Sequence, residues 1–332
     1  MRNRFLYGVI WLSFCLPIET FSQEQAITKT VWNGYTQLRF TSNFNDVNSF
    51  GMRRMKLWVN SAPGFNEHWG FHVQTTITSL QNEKFLLQDV LVNYRQGQFK
   101  INMGQFIPQY SLQRLQPDFE IPLTERADAI NDLIPNGTLG VRDIGVEGNY
   151  TSLNKTLETW FGAFNGYGIK EYRFDNSGIM LTHKTALHLF NHRFTKGYSV
   201  MYRKADKLQL INVIPDSMLF SGNDFRFNLF AKYNVGNFHI QAEYLWANLD
   251  NQIADGYYIL LQYNLNQNQF IASWNQYNDL INTTSDLPVV HLAYNYAIKG
   301  DKLKLMLDNG VRVDNEKLKN YFLTIELQLF FN

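Results

Sequence analysis

From Val31 to the C-terminus, apolar residues recur at every second position in segments of about ten, the period of a strand with two unlike faces rather than of a helix. Phe225, Phe227, Leu229, Ala231, Tyr233 and Val235 make one face of such a segment, while Arg226, Asn228, Lys232 and Asn234 make most of the other. The alternation returns in Phe238 to Trp246, Tyr257 to Tyr263, Val290 to Tyr296 and Leu303 to Leu307. It predicts sixteen strands, running from 31–41 through 98–107, 138–150, 153–165 and 256–266 to 320–331. A water-soluble sandwich also alternates. These segments are long for a sandwich and carry aromatic residues at their ends, where a transmembrane antiparallel β-barrel meets the two membrane interfaces.

The connections agree with that reading. In a barrel with both termini on one side, long outer loops alternate with short inner turns. Gly97, Gly236 and Gln267 mark near-minimal turns, whereas 108–137, 166–177 and 206–222 are long. The longest, 108–137, follows the fifth strand as the third outer loop. About thirty residues without regular structure point to a functional loop, here one folded toward the lumen as a constriction.

The chain opens with Met1-Arg2-Asn3-Arg4 and an apolar run from Phe5 to Leu16, the layout of a secretory signal, with cleavage expected after Ser22. Residues 1–22 are thus expected to be signal peptide and 23–332 the barrel. The only cysteine, Cys15, lies in the signal, so the mature chain has no thiol for a disulfide, a metal or a nucleophile. Removing Arg2, Arg4 and Glu19 leaves the mature chain formally neutral, without the concentrated basic surface of a nucleic-acid binder. Aromatic residues make up 15% of the sequence and the mean hydropathy is −0.29, with no run long enough for a membrane helix. The C-terminal run Tyr321, Leu323, Ile325, Leu327, Leu329 and Phe331 resembles the assembly signal of outer-membrane barrels, with Asn332 as one extra residue.

Beyond the barrel pattern, four stretches occur in order: Met52-Arg53-Arg54-Met55-Lys56-Leu57, Gly104-Gln105-Phe106-Ile107-Pro108 running into Ser111-Leu112, Glu125-Arg126, and Arg142-Asp143-Ile144-Gly145-Val146. Together they resemble the phosphate-selective porin O and P family, over the N-terminal half of the chain. The resemblance implies a sixteen-stranded pore of the outer membrane, usually trimeric, whose third loop lines the constriction. The arginine ladder and lysine cluster of the phosphate-specific members have no counterpart here, where basic residues are scattered.

Catalytic and metal constellations are not indicated. His188 and His192 share a predicted strand face but would lie about 13 Å apart at strand rise, too far to share a metal. No phosphate loop, GxSxG elbow or HExxH helix is present. Asn136-Gly137 reads as the turn that ends the long loop, and Asp250, Asn251 and Asp255 read as solvated polarity of an outer loop.

Strand parity sorts the charges. Lumen positions hold Arg39, Arg54, Lys56, Arg95, Lys100, Arg203, Arg226, Lys232, Lys302 and Lys304 against Asp89, Glu147, Glu158, Glu243, Asp308 and Glu326. In the long loop Asp118, Glu120, Glu125, Asp128 and Asp132 outnumber Arg114 and Arg126. The expected function is passive diffusion of small hydrophilic solutes or ions, anionic or neutral, with a mild anion preference and no tight phosphate site. Arg39, Arg54, Lys56, Arg95, Lys100, Arg114 and Arg126 are the expected pore-lining residues. Neither an enzyme nor a cofactor is expected. The expected partners are the outer-membrane bilayer, the barrel-assembly machinery and two further copies in a homotrimer, with no nucleic acid. A barrel lipid hydrolase and a closed structural or adhesive barrel are the alternatives, and single-channel conductance separates them from a pore.

Overall fold

The computed structural model describes residues 29–78, 84–170, 178–281, 287–314 and 317–331. The expected signal peptide, with Cys15, and Asn332 lie outside the described residues.

Because neighbouring side chains meet opposite solvents, lipid outside and water within, each alternating segment pairs on both edges until the sheet closes. The strands are β1 (Lys29–Ser42), β2 (Asn48–Ala62), β3 (Trp69–Thr78), β4 (Lys84–Gln96), β5 (Phe99–Phe106), β6 (Asp143–Thr151), β7 (Leu157–Phe164) and β8 (Met180–Leu189). They continue as β9 (Phe194–Leu208), β10 (Phe220–Val235), β11 (Phe238–Leu249), β12 (Gln252–Leu265), β13 (Asn268–Asn278), β14 (Val289–Asp301), β15 (Leu303–Asp314) and β16 (Lys317–Phe330). Each pairs antiparallel with its sequence neighbours, and β1 closes the barrel against β16, from Tyr35 opposite Phe330 to Ser42 opposite Leu323.

The two faces follow the parity of the sequence. On β10, Phe225, Leu229 and Tyr233 are exposed on the outer wall, while Arg226 and Asn228 are buried inside. Five cross-strand aromatic pairs ring the end that carries the termini: Trp69 with Tyr94, Phe99 with Tyr150, Phe194 with Tyr233, Phe238 with Tyr263, and Phe270 with Tyr294. Rings at this height form an interfacial girdle.

Several boundaries differ from the sequence pattern. The sixth strand begins at Asp143, not at 138, because Asn136, Gly140 and Val141 adopt positive φ and carry the chain away from extended geometry. The connection before it therefore spans 107–142, and it is not without regular structure. It holds single 3-10 turns at Gln113–Leu115 and Asp118–Glu120 and a short helix α1 (Asp128–Asp132). Strand β7 starts at Leu157 rather than 153, and β12 starts at Gln252 rather than 256, which places Asp255 in a strand. The ring centroids of His188 and His192 are 5.2 Å apart, not about 13 Å, since Phe190, Asn191 and His192 all have positive φ and turn the chain back on itself.

Candidate functional site

The segment 107–142 bonds to side chains on strands from opposite sides of the ring. Toward one side, Glu243 of β11 accepts hydrogen bonds from the Leu112 and Gln113 amides (2.9 and 2.5 Å), and Lys184 of β8 donates to the Ser111 carbonyl (2.8 Å). Toward the other, Lys304 of β15 and Gln328 of β16 donate to the Phe119 carbonyl (3.0 and 3.2 Å). Asp308 accepts from the Thr124 amide and hydroxyl (3.1 and 2.8 Å). A chain so tethered passes through the enclosed space.

Where it meets β10, Asp224 is fully buried between Arg203 (2.7 Å) and Arg226 (2.8 Å). Further donors hold the loop: Arg226 reaches the Leu133 and Ile134 carbonyls (3.0 and 2.8 Å), and Arg203 reaches Asn136 Oδ1 (2.7 Å) and, after β7, the Gly166 carbonyl (2.6 Å). Ile130, Leu133 and Ile134 join Met201, Leu245, Ala247 and Tyr258 in one buried apolar cluster.

The opposite side differs in charge. On β2 the register slips beside Gln37 and Leu38, so that Arg53 is an extra residue between Met52 and Arg54 in the pairing. Such a bulge lets consecutive side chains turn to the same face. Arg53 and Arg54 both reach the loop. Arg53 binds Glu125 through Nε and Nη2 (2.7 and 2.8 Å), and Arg54 binds Asp118 (2.5 Å). Lys56 and Arg126 also contact Asp118, which thus serves three cations. Arg39 joins Glu125 to Glu326 (2.7 Å each). Burial alone would raise the Asp118 carboxyl, but Arg54, Lys56, Arg126 and Arg114 outweigh it and hold it well below the carboxylate range.

Between this wall and the loop lies a cavity of about 300 Å³ lined by Tyr35, Lys56, Trp58, Gln74, Asp89, Arg114, Asp118, Phe119, Arg126 and Arg142, among others. Arg142 binds Asp89 (3.1 Å). Among the described residues Arg114 forms no ion pair, and its Nε, like Arg54 Nε and the Tyr35 hydroxyl, is buried without a hydrogen-bond partner. Burial, followed by the charges of Arg126 and Arg142, pulls the Arg114 guanidinium well below its ordinary range, the direction expected for a cation short of anions.

Five of the seven pore residues expected from the sequence, Arg39, Arg54, Lys56, Arg114 and Arg126, therefore gather here. Arg95 and Lys100 do not; they face each other across the turn at Gly97, at the rim that carries the termini. Sequence parity pointed Arg53 toward lipid and missed it, although two adjacent arginines between apolar neighbours are a signal of a bulge. Arg142, read as part of a strand, was missed as a cavity cation. Of the loop acids, Asp118 and Glu125 sit among the cations, whereas Asp128 and Asp132 line a separate space with Asp216 and Asp279. Among the described residues no cluster of three metal-ligating side chains occurs.

Comparison with known proteins places this geometry. The family model for phosphate-selective porin O and P matches residues 26–330. No curated protein matches the sequence. Among solved structures, a loop L8 deletion mutant of OmpT, an outer membrane protein of Vibrio cholerae, superposes with TM-score 0.65 at 11% identity, covering 92% of this chain and 99% of that one. Salmonella typhi OmpF, solved in complex with daunomycin, gives TM-score 0.64 at 12% identity over 92% of this chain and 98% of that one. The outer membrane channel DcaP of Acinetobacter baumannii gives 0.59 at 12% identity, over 93% and 99%. At these identities the structures share the fold. The family match spans nearly the whole chain, and on it the protein belongs to the phosphate-selective porin O and P family, porins of the bacterial outer membrane.

Proposed function

We propose that this porin is a diffusion channel with a mild preference for anions, whose segment 108–137 narrows the passage. One observation carries the reading. Around the loop and the β2 wall, seven cations, Arg39, Arg53, Arg54, Lys56, Arg114, Arg126 and Arg142, meet four carboxylates, Asp89, Asp118, Glu125 and Glu326. Charges act most strongly where the passage is narrow, whereas those across a wide lumen are screened within about 8 Å at physiological salt. The surplus favours an anion, while partial neutralisation by Asp118 keeps binding weak enough to permit exit. Trimerisation fits the relatives, since the in-vitro folded OmpT of Vibrio cholerae is described as a trimer.

Reversal potentials in a planar bilayer under a potassium chloride gradient test the reading. Chloride preference is expected, and it should fall on Arg54→Ala. Strong cation selectivity unchanged by that substitution would overturn it. A protein that folds and inserts but never conducts would favour a closed barrel.

A further inference from the structure

The cavity beside β2 is not lined by charge alone. Its floor, toward the rim that carries the termini, is built of rings. Tyr35 on β1 and Trp58 on β2 both point inward, against the outward placement that membrane girdles give such residues. Phe119, from the loop, lies nearly parallel to Trp58 (7° between planes, centroids 6.4 Å apart) and edge-on to Tyr35 (5.5 Å). Phe330 packs behind them, 4.9 Å from Phe119 and 5.2 Å from Tyr35. Lys56 stands between the two aromatic positions, opposite Tyr35 in register and two residues from Trp58 on the same strand face.

Two facts argue that this arrangement is more than filler. The cations of the cavity exceed its carboxylates. In addition, two polar groups of the lining have no partner among the described residues: Arg114 Nε, and the hydroxyl of Tyr35, a residue only 1% exposed. A buried donor left without an acceptor has given up its hydration and gains nothing in return. A molecule that brings acceptor oxygens to Arg114, Lys56 and Tyr35 would satisfy both. Inorganic phosphate would do so while leaving the apolar faces of Trp58 and Phe119 wet.

We infer that this cavity is a subsite for ring-bearing organic anions, in which an anionic head meets Lys56, Arg114 and the Tyr35 hydroxyl while a flat apolar ring lies against Trp58 and Phe119. The inference rests on the lumen being an anion path and adds the class of solute that it retains longest. The order along β2, Arg53 and Arg54 first, then Lys56, then Trp58, takes a solute coming from the loop side through charge before it meets the rings.

Three probes separate the parts: phenyl phosphate carries ring and anion, methyl phosphate the anion alone, and benzyl alcohol the ring alone. In planar bilayers phenyl phosphate should block the open-channel current at about one tenth of the concentration that methyl phosphate needs, the ratio given by a ring contact of about 1.4 kcal/mol. Benzyl alcohol should not block. Trp58→Leu should remove the advantage of phenyl phosphate and leave methyl phosphate unchanged, Trp58→Phe should retain most of it, and Arg114→Gln should weaken both phosphates. Equal block by the two phosphates in a conducting channel would overturn the subsite while leaving the porin reading intact, as would a Trp58→Leu channel that still prefers phenyl phosphate. If no current is seen, tryptophan fluorescence of the detergent-solubilised protein decides: saturable quenching by phenyl phosphate, lost in Trp58→Phe and absent with methyl phosphate, supports the subsite, and its absence rejects it.

Discussion

The two sides of the lumen use the same side chains to opposite ends. Along β9 to β12, arginine and carboxylate meet in desolvated sets. Asp224, fully buried, takes both Arg203 and Arg226, and further donors reach the Leu133 and Ile134 carbonyls of the loop and the Gly166 carbonyl after β7. Glu243, 3% exposed, accepts from Leu112, Gln113, Asn228 and Tyr258. An apolar cluster seals what remains. Along β1 to β4 one carboxylate, Asp118, serves three cations, Arg114 has no carboxylate among the described residues, and a cavity is left open. Buried charge tied by many hydrogen bonds to a carboxylate and to backbone carbonyls is an anchor. Charge in surplus beside open space is a site for something that comes and goes.

The anchor should therefore fail most severely when it is cut. Asp224→Ala leaves two guanidiniums buried without their anion, a change that costs about 3–5 kcal/mol in buried pairs of this kind. Urea unfolding in lipid vesicles should show it, and single-channel records should become noisier as the Leu133 and Ile134 end of the loop loosens. Asp89→Ala, on the open side, unpairs one guanidinium, Arg142, and takes an acceptor from the Gln74 amide, and should cost less. Equal costs would erase the distinction between the two sides.

The outer wall gives the next largest effect. Leu229, 48% exposed on β10, faces lipid, where an arginine near the bilayer midplane costs about 2–4 kcal/mol. Leu229→Arg should lower folding yield in vesicles to that degree. Its neighbour Asn228 faces inward as the parity requires, yet it is not an innocuous lumen position: it is fully buried and donates to Glu243 (3.1 Å). Asn228→Arg should spare insertion and disturb the loop, visible as altered conductance with normal yield. A loss of insertion equal to that of Leu229→Arg would show that β10 is turned the other way.

How much of this the sequence carried depends on how far apart the cooperating residues lie. The barrel was legible because lipid and water impose opposite polarity on every successive residue, so each strand declares its faces locally. Strand ends were less so. Leu139 and Val141 continue the alternation past the true start of β6, while the positive φ at Gly140 and Val141 already belongs to the loop. Arg53 was hidden by one extra residue in the pairing, which parity counting cannot see. The path of the loop was out of reach altogether: Leu112 meets a carboxylate 131 residues away, and nothing in either local sequence marks the other.

On the open side, selectivity should respond to single charges in opposite directions. Asp118→Asn frees Arg54, Lys56 and Arg126 from their shared anion, and the chloride to potassium permeability ratio should rise, by about twofold for one charge at a constriction. Arg54→Ala should lower it by a similar factor. Both shifts should shrink as salt rises from 0.1 to 1 M, where the screening length falls from about 10 to about 3 Å. Two substitutions that move the ratio the same way would mean that Asp118 and Arg54 do not flank the ion path.

The smallest effect belongs to the loop's far end, where α1 meets the anchored side. Asp132 faces a space of about 540 Å³ also lined by Asp128, Asp216, Asp279 and Arg312. Burial raises the Asp132 carboxyl to about 7, with Asp128 and Asp279 adding to the rise and a hydrogen bond from Asn212 opposing it. Lys170, nearby, also favours its ionised form. A raised carboxyl is neutral below its pKa, so lowering the pH from 8 to 6 removes one negative charge from this space and leaves Asp118, held well below the carboxylate range, ionised throughout. The chloride preference should therefore increase slightly as pH falls through 7. Reversal potentials recorded at steps of half a pH unit should show a single step centred there, absent in Asp132→Asn. A step that survives that substitution would assign the titration to another group, and no step at all would mean that ions pass too far from α1 to sense its charge.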